Sequence, residues 1–574
     1  MKTLRNAIIA VLGATTLAGI ANAAEVLVTT DITTSTTWTK NNVYNLQGQI
    51  YVRPGATLTI QAGTVIASNS GGSLAVTRDA RLVCNGTDTE PVIFTSKNDY
   101  NTWTNGDPKT GTWRAVANEW GNVTICGRAY IGKYGQGAVT TNTAAPSAGN
   151  YANMEGLVAS SLTDTRTFYG GGDDNDNSGT FRFVSLRYGG QVVGLGNELN
   201  GLSLGGIGRG TTIDHIEIMN NVDDGIEIWG GTVDLKYFSI WNIGDDSLDV
   251  DQGWRGRAQF GLIVQGYSIP GAASGSGFPD SAIELDGAEK SDAQPVGTTN
   301  FWNFTVIGQP LSGRVATKWR DNMRAQFHAS IFMDIGNAVI QNNNTDGEAS
   351  GGQTGYGHNG TLSWANTWTT AYNVYSTVNP FANPAQAYQA QKSGNLIEFT
   401  DNVFFNNNSA AAYTEANARG VFAAANNNVQ ATVSPIKQIV RGANVTSGTL
   451  IVQPVIGLDP RANNNAVTAT TSAPADGWFV PVTYRGAFGP DENWLCGWTA
   501  ADAFGYVIKP AGVCVSSCVA DLDNNQVVNG ADLGLLLGAW GACPGTPCIG
   551  DINLDGVVNG ADLGLLLGAW GACQ

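Results

Sequence analysis

The sequence predicts an all-β fold, a right-handed parallel β-helix (a solenoid of stacked coils), with a small C-terminal α-helical calcium-loop duplication. Three observations carry this. Short β runs broken by Gly, Pro and Asn fill the chain from about Ala24 to Pro510. A strand motif recurs at close to one solenoid turn: Asp223-Asp-Gly-Ile-Glu-Ile-Trp229 returns 22 residues later as Asp245-Asp-Ser-Leu-Asp-Val-Asp251. After a longer gap it returns as Asp280-Ser-Ala-Ile-Glu-Leu-Asp286. Finally, Asp521-Leu-Asp-Asn-Asn-Gln-Val-Val-Asn-Gly-Ala-Asp532 is rewritten 30 residues on as Asp551-Ile-Asn-Leu-Asp-Gly-Val-Val-Asn-Gly-Ala-Asp562.

In chain order, residues 1–23 read as a cleaved export signal. Lys2 and Arg5 precede an apolar run, Ala7 to Ile20, and Ala21-Asn22-Ala23 is an A-x-A cleavage site. The expected location is secreted or cell-surface, and no later stretch is apolar enough to insert in a membrane. The eight cysteines, an even number, fit an oxidising compartment. Cys84–Cys126 and Cys496–Cys514 are pairings suggested by sequence proximity alone. A formal charge of −17 argues against nucleic acid or anionic lipid as partner.

Residues 24–507 form the expected β-helix body. Seventy-four glycines and only 13% charged residues suit one long β-structure with many turns. Coils of twenty-odd residues stack each on the last, and Leu199-Asn-Gly-Leu-Ser-Leu-Gly205 is a weaker copy of the repeat before the strong ones. Gly271 to Gly277 reads as a loop thrown out of one coil. Gly442 to Ala475 reads as irregular surface chain, Trp478 to Val507 as an aromatic cap closing the solenoid, and residues 508–517 as a linker.

The repeat carries the chemistry. Side chains alternate along a strand, so Ile226/Ile228, Leu248/Val250 and Ile283/Leu285 point inward. Their neighbours Glu227, Asp249 and Glu284 then form an outward column, beside Asp223, Asp245 and Asp280, with Asp251 and Asp286 beginning a third. Strands lie ~4.8 Å apart, and like charges at that distance repel, so something must neutralise the ladder. Three readings compete. The carboxylates are structural, salt-bridged to arginines such as Arg255 and Arg257 or hydrogen-bonded to turn backbones. Or they bind a divalent cation and a glycan, with Trp229, Trp254 and Trp319 as sugar platforms. Or Asp245, Asp249 and Glu227 are catalytic in a polysaccharide lyase or glycoside hydrolase. Calcium on the ladder plus an arginine base would resemble β-helix pectate lyases, but no motif specific to either enzyme class is complete. The histidines (His215, His328, His358) offer little for zinc or acid–base work. Asp174-Asn-Asp-Asn-Ser-Gly179 is taken as a turn.

Residues 518–574 form the tail. Oxygen ligands at loop positions 1, 3, 5, 9 and 12, with a carbonyl at 7, wrap calcium. Asp521, Asp523, Asn525, Val527 (carbonyl), Asn529 and Asp532 are expected to hold one ion. Asp551, Asn553, Asp555, Val557 (carbonyl), Asn559 and Asp562 are expected to hold the second. Leu533, Leu536, Leu537 and Trp540 fall on one helical stripe, copied at Leu563, Leu566, Leu567 and Trp570. Glycine in a helix costs up to ~1 kcal/mol against alanine, so Gly534 and Gly538 suggest close approach of a sister helix or a docking partner. One helix is ~16 Å long, too far for a disulfide within a repeat. Antiparallel packing of the repeats instead brings Cys543 to Cys548 and Cys518 to Cys573.

The duplication, Asp521 to Trp570, resembles a type I dockerin. Position 12 is Asp, as in that family, while Gln526 replaces a favoured glycine at a cost of roughly 1–2 kcal/mol. The resemblance implies two calcium ions and a cohesin-like partner, often in polysaccharide-degrading assemblies. Candidate contacts are Gly530, Ala531 and Leu535, with Gly560, Ala561 and Leu565 in the second copy, so docking in two orientations is open to it. Trp120 to Phe260 is similar to secreted bacterial β-helix proteins of unassigned function, through Tyr169-Gly-Gly-Gly-Asp-Asp, Asn197-Glu-Leu-Asn-Gly-Leu and Gly230-Gly-Thr-Val. The expected role is glycan binding or surface structure, with lyase or hydrolase activity as the alternative.

Overall fold

The computed structural model describes residues 23–133, 150–159, 164–194, 197–268, 277–288, 295–311, 313–343, 363–372, 390–391, 393–407, 412–447, 449–463, 467–510, 520–523, 527–543, 550–552 and 556–572. The expected export signal up to residue 22, most of the loop from Gly271 to Gly277, and His358 lie outside them.

Nine strands form one sheet in strict chain order. They are β1 Gln49–Val52, β2 Ser73–Val76, β3 Val123–Cys126, β4 Leu202–Ile207, β5 Ile226–Gly231, β6 Leu248–Asp251, β7 Ser281–Asp286, β8 Val315–Arg320 and β9 Ile340–Asn342. Every pairing is parallel. A sheet ordered as the chain is ordered, all parallel, arises when each coil adds one strand to the same face. Most of the other strands of the body form further parallel ladders along the same stack. The body is therefore a parallel β-helix.

The predicted register holds. Leu202, Ile226, Leu248 and Ile283 pair in sequence, as do Leu204, Ile228, Val250 and Leu285, and all are at 0% exposure. Each coil thus places two branched aliphatics on those of its neighbours, and the core is a continuous column.

Four long strands, Gly179–Gly189, Thr212–Asn221, Asp234–Trp241 and Arg257–Val264, bend where the ladder turns a corner. The bend residues are Phe183, His215, Tyr237 and Phe260, with φ of +48°, +53°, +54° and +58°. A non-glycine residue there costs about 1–2 kcal/mol. The compensation is a ring stack, with centroids 4.1, 4.6 and 4.7 Å apart from coil to coil.

Two expectations about the C-terminal part of the body are corrected. The stretch after Gly442 is not irregular: Val455–Ala462 pairs antiparallel with Ile436–Arg441, and Val445–Ser447 with Leu450–Val452. Nor does the aromatic segment cap the end of the solenoid. It runs back along the corner stack as a lateral strap. Arg485 Nε donates to Asp401 at 3.1 Å, and Ala487 N–H donates to Thr305 at 2.9 Å. Trp494 meets Tyr237 and His215 edge-on, and Trp498 meets Phe183 and His215. The outward corner rings are apolar and need covering, which the strap supplies.

In the tail, two nine-residue helices, Gly530–Gly538 and Gly560–Gly568, are related by reciprocal strand pairing. Val527–Val528 pairs with Gly571–Ala572, and Gly541–Ala542 with Val557–Val558. The antiparallel packing of the repeats is as expected. The predicted helical stripe is only half right. Leu536 and Leu566 are buried, whereas Leu537, Trp540, Leu567 and Trp570 are about half exposed, because two short helices share one narrow seam. A side chain at Gly534, Gly538, Gly564 or Gly568 would meet nothing within 4 Å, so the sister helix does not explain those glycines.

Cys84 and Cys126 are buried free thiols, which corrects their suggested pairing. They point into different places: Cys84 lies in the main core and Cys126 among Ile131, Tyr169 and Trp229. Cys496 and Cys543 are each disulfide-bonded. Cys514, Cys518, Cys548 and Cys573 lie outside the described residues, and with them the expected pairings Cys543–Cys548, Cys518–Cys573 and Cys496–Cys514.

Candidate functional site

The outward column on the nine-stranded sheet reads, from β4 to β9, Ser203, Glu227, Asp249, Glu284, Lys318 and Gln341. The sequence-predicted trio of acids is therefore in register on adjacent strands. It is not freely solvated: Glu227 is 8% and Glu284 4% exposed.

The turn preceding each strand adds a second row that the alternation argument missed. Asn200, Asp224 and Asp246 occupy the same place in successive coils. Asn200 Oδ1 accepts the N–H of Asp224 at 3.2 Å, Asp224 Oδ1 accepts the N–H of Asp246 at 2.9 Å, and Asp246 accepts that of Ser281. Each side chain braces the backbone of the next coil, so the structural reading is correct for this row. The signal was present as the second letter of each repeat, Asn200, Asp224 and Asp246.

Carboxylate oxygens of Asp224, Glu227 and Asp249 all lie within 4.8 Å of one another, as do those of Asp223, Asp224 and Asp245, and of Asp245, Asp246 and Asp280. Burial first, and then the neighbouring charges, push Asp224, Glu227 and Asp249 well above the usual carboxylate range. The same causes push Asp245 up to about 7 and Asp246 up to about 6. Asn200 Nδ2 donates to Glu227, while Asp249 Oδ1 is buried without a hydrogen-bond partner among the described residues.

The arginines expected to discharge the ladder do not do so. Arg255 pairs with Asp174 at 2.6 Å, inside the predicted turn, and Arg257 pairs with Asp234 and Asp476. The counter-charges come from β8, one coil further on. Lys318 reaches Glu284 at 2.6 Å and Asp280 at 3.2 Å, and Arg320 pairs with Glu284 and Asp286. Sequence reasoning missed both because β8 keeps the alternation of the repeat but not its acids. Basic compensation thus sits at one end, leaving the Glu227 and Asp249 end crowded with like charge.

The tryptophans are not sugar platforms. Trp254 and Trp319 are at 0% exposure within the core and Trp229 is at 6% beside Tyr169. Trp254 and Trp319 donate their indole N–H inward, to Val233 O and Thr317 Oγ1. His215 belongs to the corner stack. His328 lies on Trp302, where burial holds its pKa down at about 3.

The tail loops converge as a calcium loop would. Asp521, Asp523 and Asp532 place carboxylate oxygens within 4.8 Å of one another. Asp532 accepts N–H groups from Leu522 (2.7 Å), Asp523 (3.1 Å) and Asn529 (2.8 Å). Burial alone would raise its carboxyl, but these N–H groups together hold it below the ordinary range. Asp562 repeats the pattern with Ile552 and Asn559, each at 2.8 Å. Asn529 and Asn559 cap the helices through Ala531 and Ala561, and their amides donate to the carbonyls of Val527 and Val557. Asp551 accepts the Gly556 N–H at 2.9 Å. Asn525, Asn553 and Asp555 lie outside the described residues. Gly530, Ala531, Leu535 and their copies Gly560, Ala561 and Leu565 are all exposed.

The nine-stranded parallel sheet in chain order, with a charged outer column, defines the class as parallel β-helix proteins. Residues 30–402 match the family described as the pectate-lyase like beta helix domain, and the chain belongs to that family. Membership is consistent with a polysaccharide-related role. No curated protein and no solved structure matches the chain.

Proposed function

We propose that the body binds linear acidic polysaccharide through divalent cations gathered on the ladder, and that the tail fixes the protein, in a calcium-dependent way, to a cohesin-like partner. The observation that carries the reading is the crowding of Asp224, Glu227 and Asp249 within 4.8 Å, with a buried unpartnered oxygen on Asp249. An all-oxygen donor set of this kind suits calcium or magnesium. A cation there would neutralise the ladder and offer its remaining positions to sugar carboxylates. Lys318 and Arg320, both on β8 two strands beyond Asp249, add positive charge that a further uronate would share with Glu284 and Asp286. A hydrolase pair needs two carboxylates facing each other across a sugar, about 5 Å or more apart, and a third acid crowded between them does not help. With the three tryptophans buried, stacking on neutral sugar faces has no support from them.

For the tail, the support is the converging Asp521, Asp523 and Asp532 and the exposed Leu535 and Leu565. The leader-like start supports secretion or display at the cell surface. In the test, full-length protein is passed over immobilised polygalacturonate, with calcium or with chelator. Retention in calcium, release by chelator, and no retention on a neutral glucan are expected. Retention indifferent to chelator would sink the proposal.

One observation favours elimination chemistry as a second reading. Asp245, pushed up to about 7, sits where a general base works best near neutral pH. Unsaturated products that vanish in Asp245→Asn while retention persists would establish it.

A further inference from the structure

We propose that the body holds an acidic polysaccharide by one chain terminus, because the excursion between β3 and β4 walls off the groove at the head of the ladder. The inference rests on the acidic-polysaccharide reading above and adds where along the sheet the chain must stop.

The outer face of the nine-stranded sheet changes character along its length. Its central column runs Tyr51, Ala75, Thr124 and Ser203 before it reaches Glu227. Over those first strands lies a two-stranded piece of the excursion, Ala152–Asn153 paired antiparallel with Phe168–Tyr169. It is fastened rather than merely adjacent. Gln49 Nε2 donates to the Gly156 carbonyl at 2.8 Å, and the Val158 N–H donates to Gln49 Oε1 at 2.8 Å. Tyr51 Oη donates to the Val158 carbonyl at 3.1 Å, and Tyr169 hydrogen-bonds Gln252 at 2.8 Å.

The apolar contact is equally close. Any side chain at Gly205 would collide with Met154 and Tyr169; a glycine there lets the excursion lie flat on β4. Cys126, Met154, Tyr169 and Trp229 are consequently all buried, at 1, 3, 2 and 6% exposure. The cover lies against Trp229, two residues along β5 from Glu227, the first acid of the column, and through Tyr169 it also touches Gln252, just after β6.

Glu155 projects from the edge of this wall. Its carboxylate accepts the Glu198 N–H at 3.3 Å, and the charges of Asp223, Glu198 and Asp251 bear on it. It also bears on Glu227. The wall thus contributes its own acid to the head of the ladder, placed to meet the terminal hydroxyls of a chain. Towards the other end the column is more exposed among the described residues: the Asp280 side chain is 43% exposed and those of Lys318 and Arg320 are 18 and 27% exposed. A polymer laid along the column from β8 towards β5 therefore runs into Met154 and Glu155.

A through-groove accepts the interior of a long chain at many places, whereas a walled groove accepts an end. The test is calorimetric titration of full-length protein, in calcium, with polygalacturonate fractions of increasing length at known chain concentration. The expected result is one protein per polymer chain whatever its length. A bound number that rises in proportion to length overturns the wall and leaves the acidic-polysaccharide reading standing; no binding to any fraction overturns both. Lowering the wall with Met154→Ala and Tyr169→Ala should make the bound number depend on length. The wild-type titration decides the matter even if that variant does not fold.

Discussion

Asp249 shows how burial and neighbours turn an ordinary repeat letter into a site. Its two strand neighbours in register are both glutamates, and its buried oxygen has no donor among the described residues. Without a cation, relief comes from protonation, and that fixes the sign of the pH dependence. Asp245 and Asp246 have folded values raised from 3.8 to about 7 and about 6. The stability they contribute is complete below about 4 and is lost as pH rises through 6 and 7. In chelator, the melting temperature should therefore fall from pH 4 to pH 7.5, and calcium should restore it at pH 8. Asp249→Asn should melt higher than wild type in chelator at pH 8 and gain less from calcium. A melting temperature in chelator that is flat across this range would contradict the account. The sequence showed Glu227, Asp249 and Glu284 because they alternate with aliphatics in a visible repeat. It did not show Glu155, which arrives from an excursion. It also misplaced Trp254 and Trp319: outside the repeat nothing in the sequence says which side of the wall a tryptophan faces.

At the scale of elements, the two tail helices were legible in the sequence because their signal is local: the apolar run has helical spacing, and a capping asparagine sits directly before each helix. What could not be read was the width of the seam between helices. Four apolar positions per helix were assigned to it, and the structure buries little more than Leu536 and Leu566 while leaving Leu537 and Trp540 in solvent. The exposed faces are duplicated by the same reciprocal pairing that relates the strands. A partner that recognises one helix face then finds the other by a half-turn. Leu535→Asp alone, or Leu565→Asp alone, should leave docking to a cohesin-like domain nearly intact, while the double substitution should weaken it at least a hundredfold, about 2.7 kcal/mol. Circular dichroism of the double variant should be unchanged, since both side chains are exposed. Equal loss from either single change would exclude the two-orientation reading.

For the whole molecule, the instructive element is the strap. A solenoid is quasi-one-dimensional: each coil touches its neighbours only, so coils can unravel from an end in steps. The segment from Arg485 to Ala501 changes that connectivity, because it touches coils as far apart as Asp401 and Phe183. Its anchor is Glu217, fully buried, which accepts the Ser185 hydroxyl at 2.6 Å and the N–H groups of Ala500 and Ala501. Aromatic content made this segment visible in the sequence, but position in the chain suggested an end cap, since nothing local reveals that a segment doubles back over hundreds of residues. The strap converts nearest-neighbour stability into long-range coupling. Wild-type protein should accordingly unfold its body in one calorimetric transition, with van't Hoff and calorimetric enthalpies in agreement. Glu217→Ala with Trp498→Ala removes the anchor and the ring that meets Phe183 while leaving every coil-to-coil ladder intact. That variant should lose agreement between the two enthalpies and melt in steps, the terminal coils first. If instead it melted in one transition shifted to lower temperature, the coils would owe their cooperativity to the continuous aliphatic column, and the strap would be a cover for the corner rings alone.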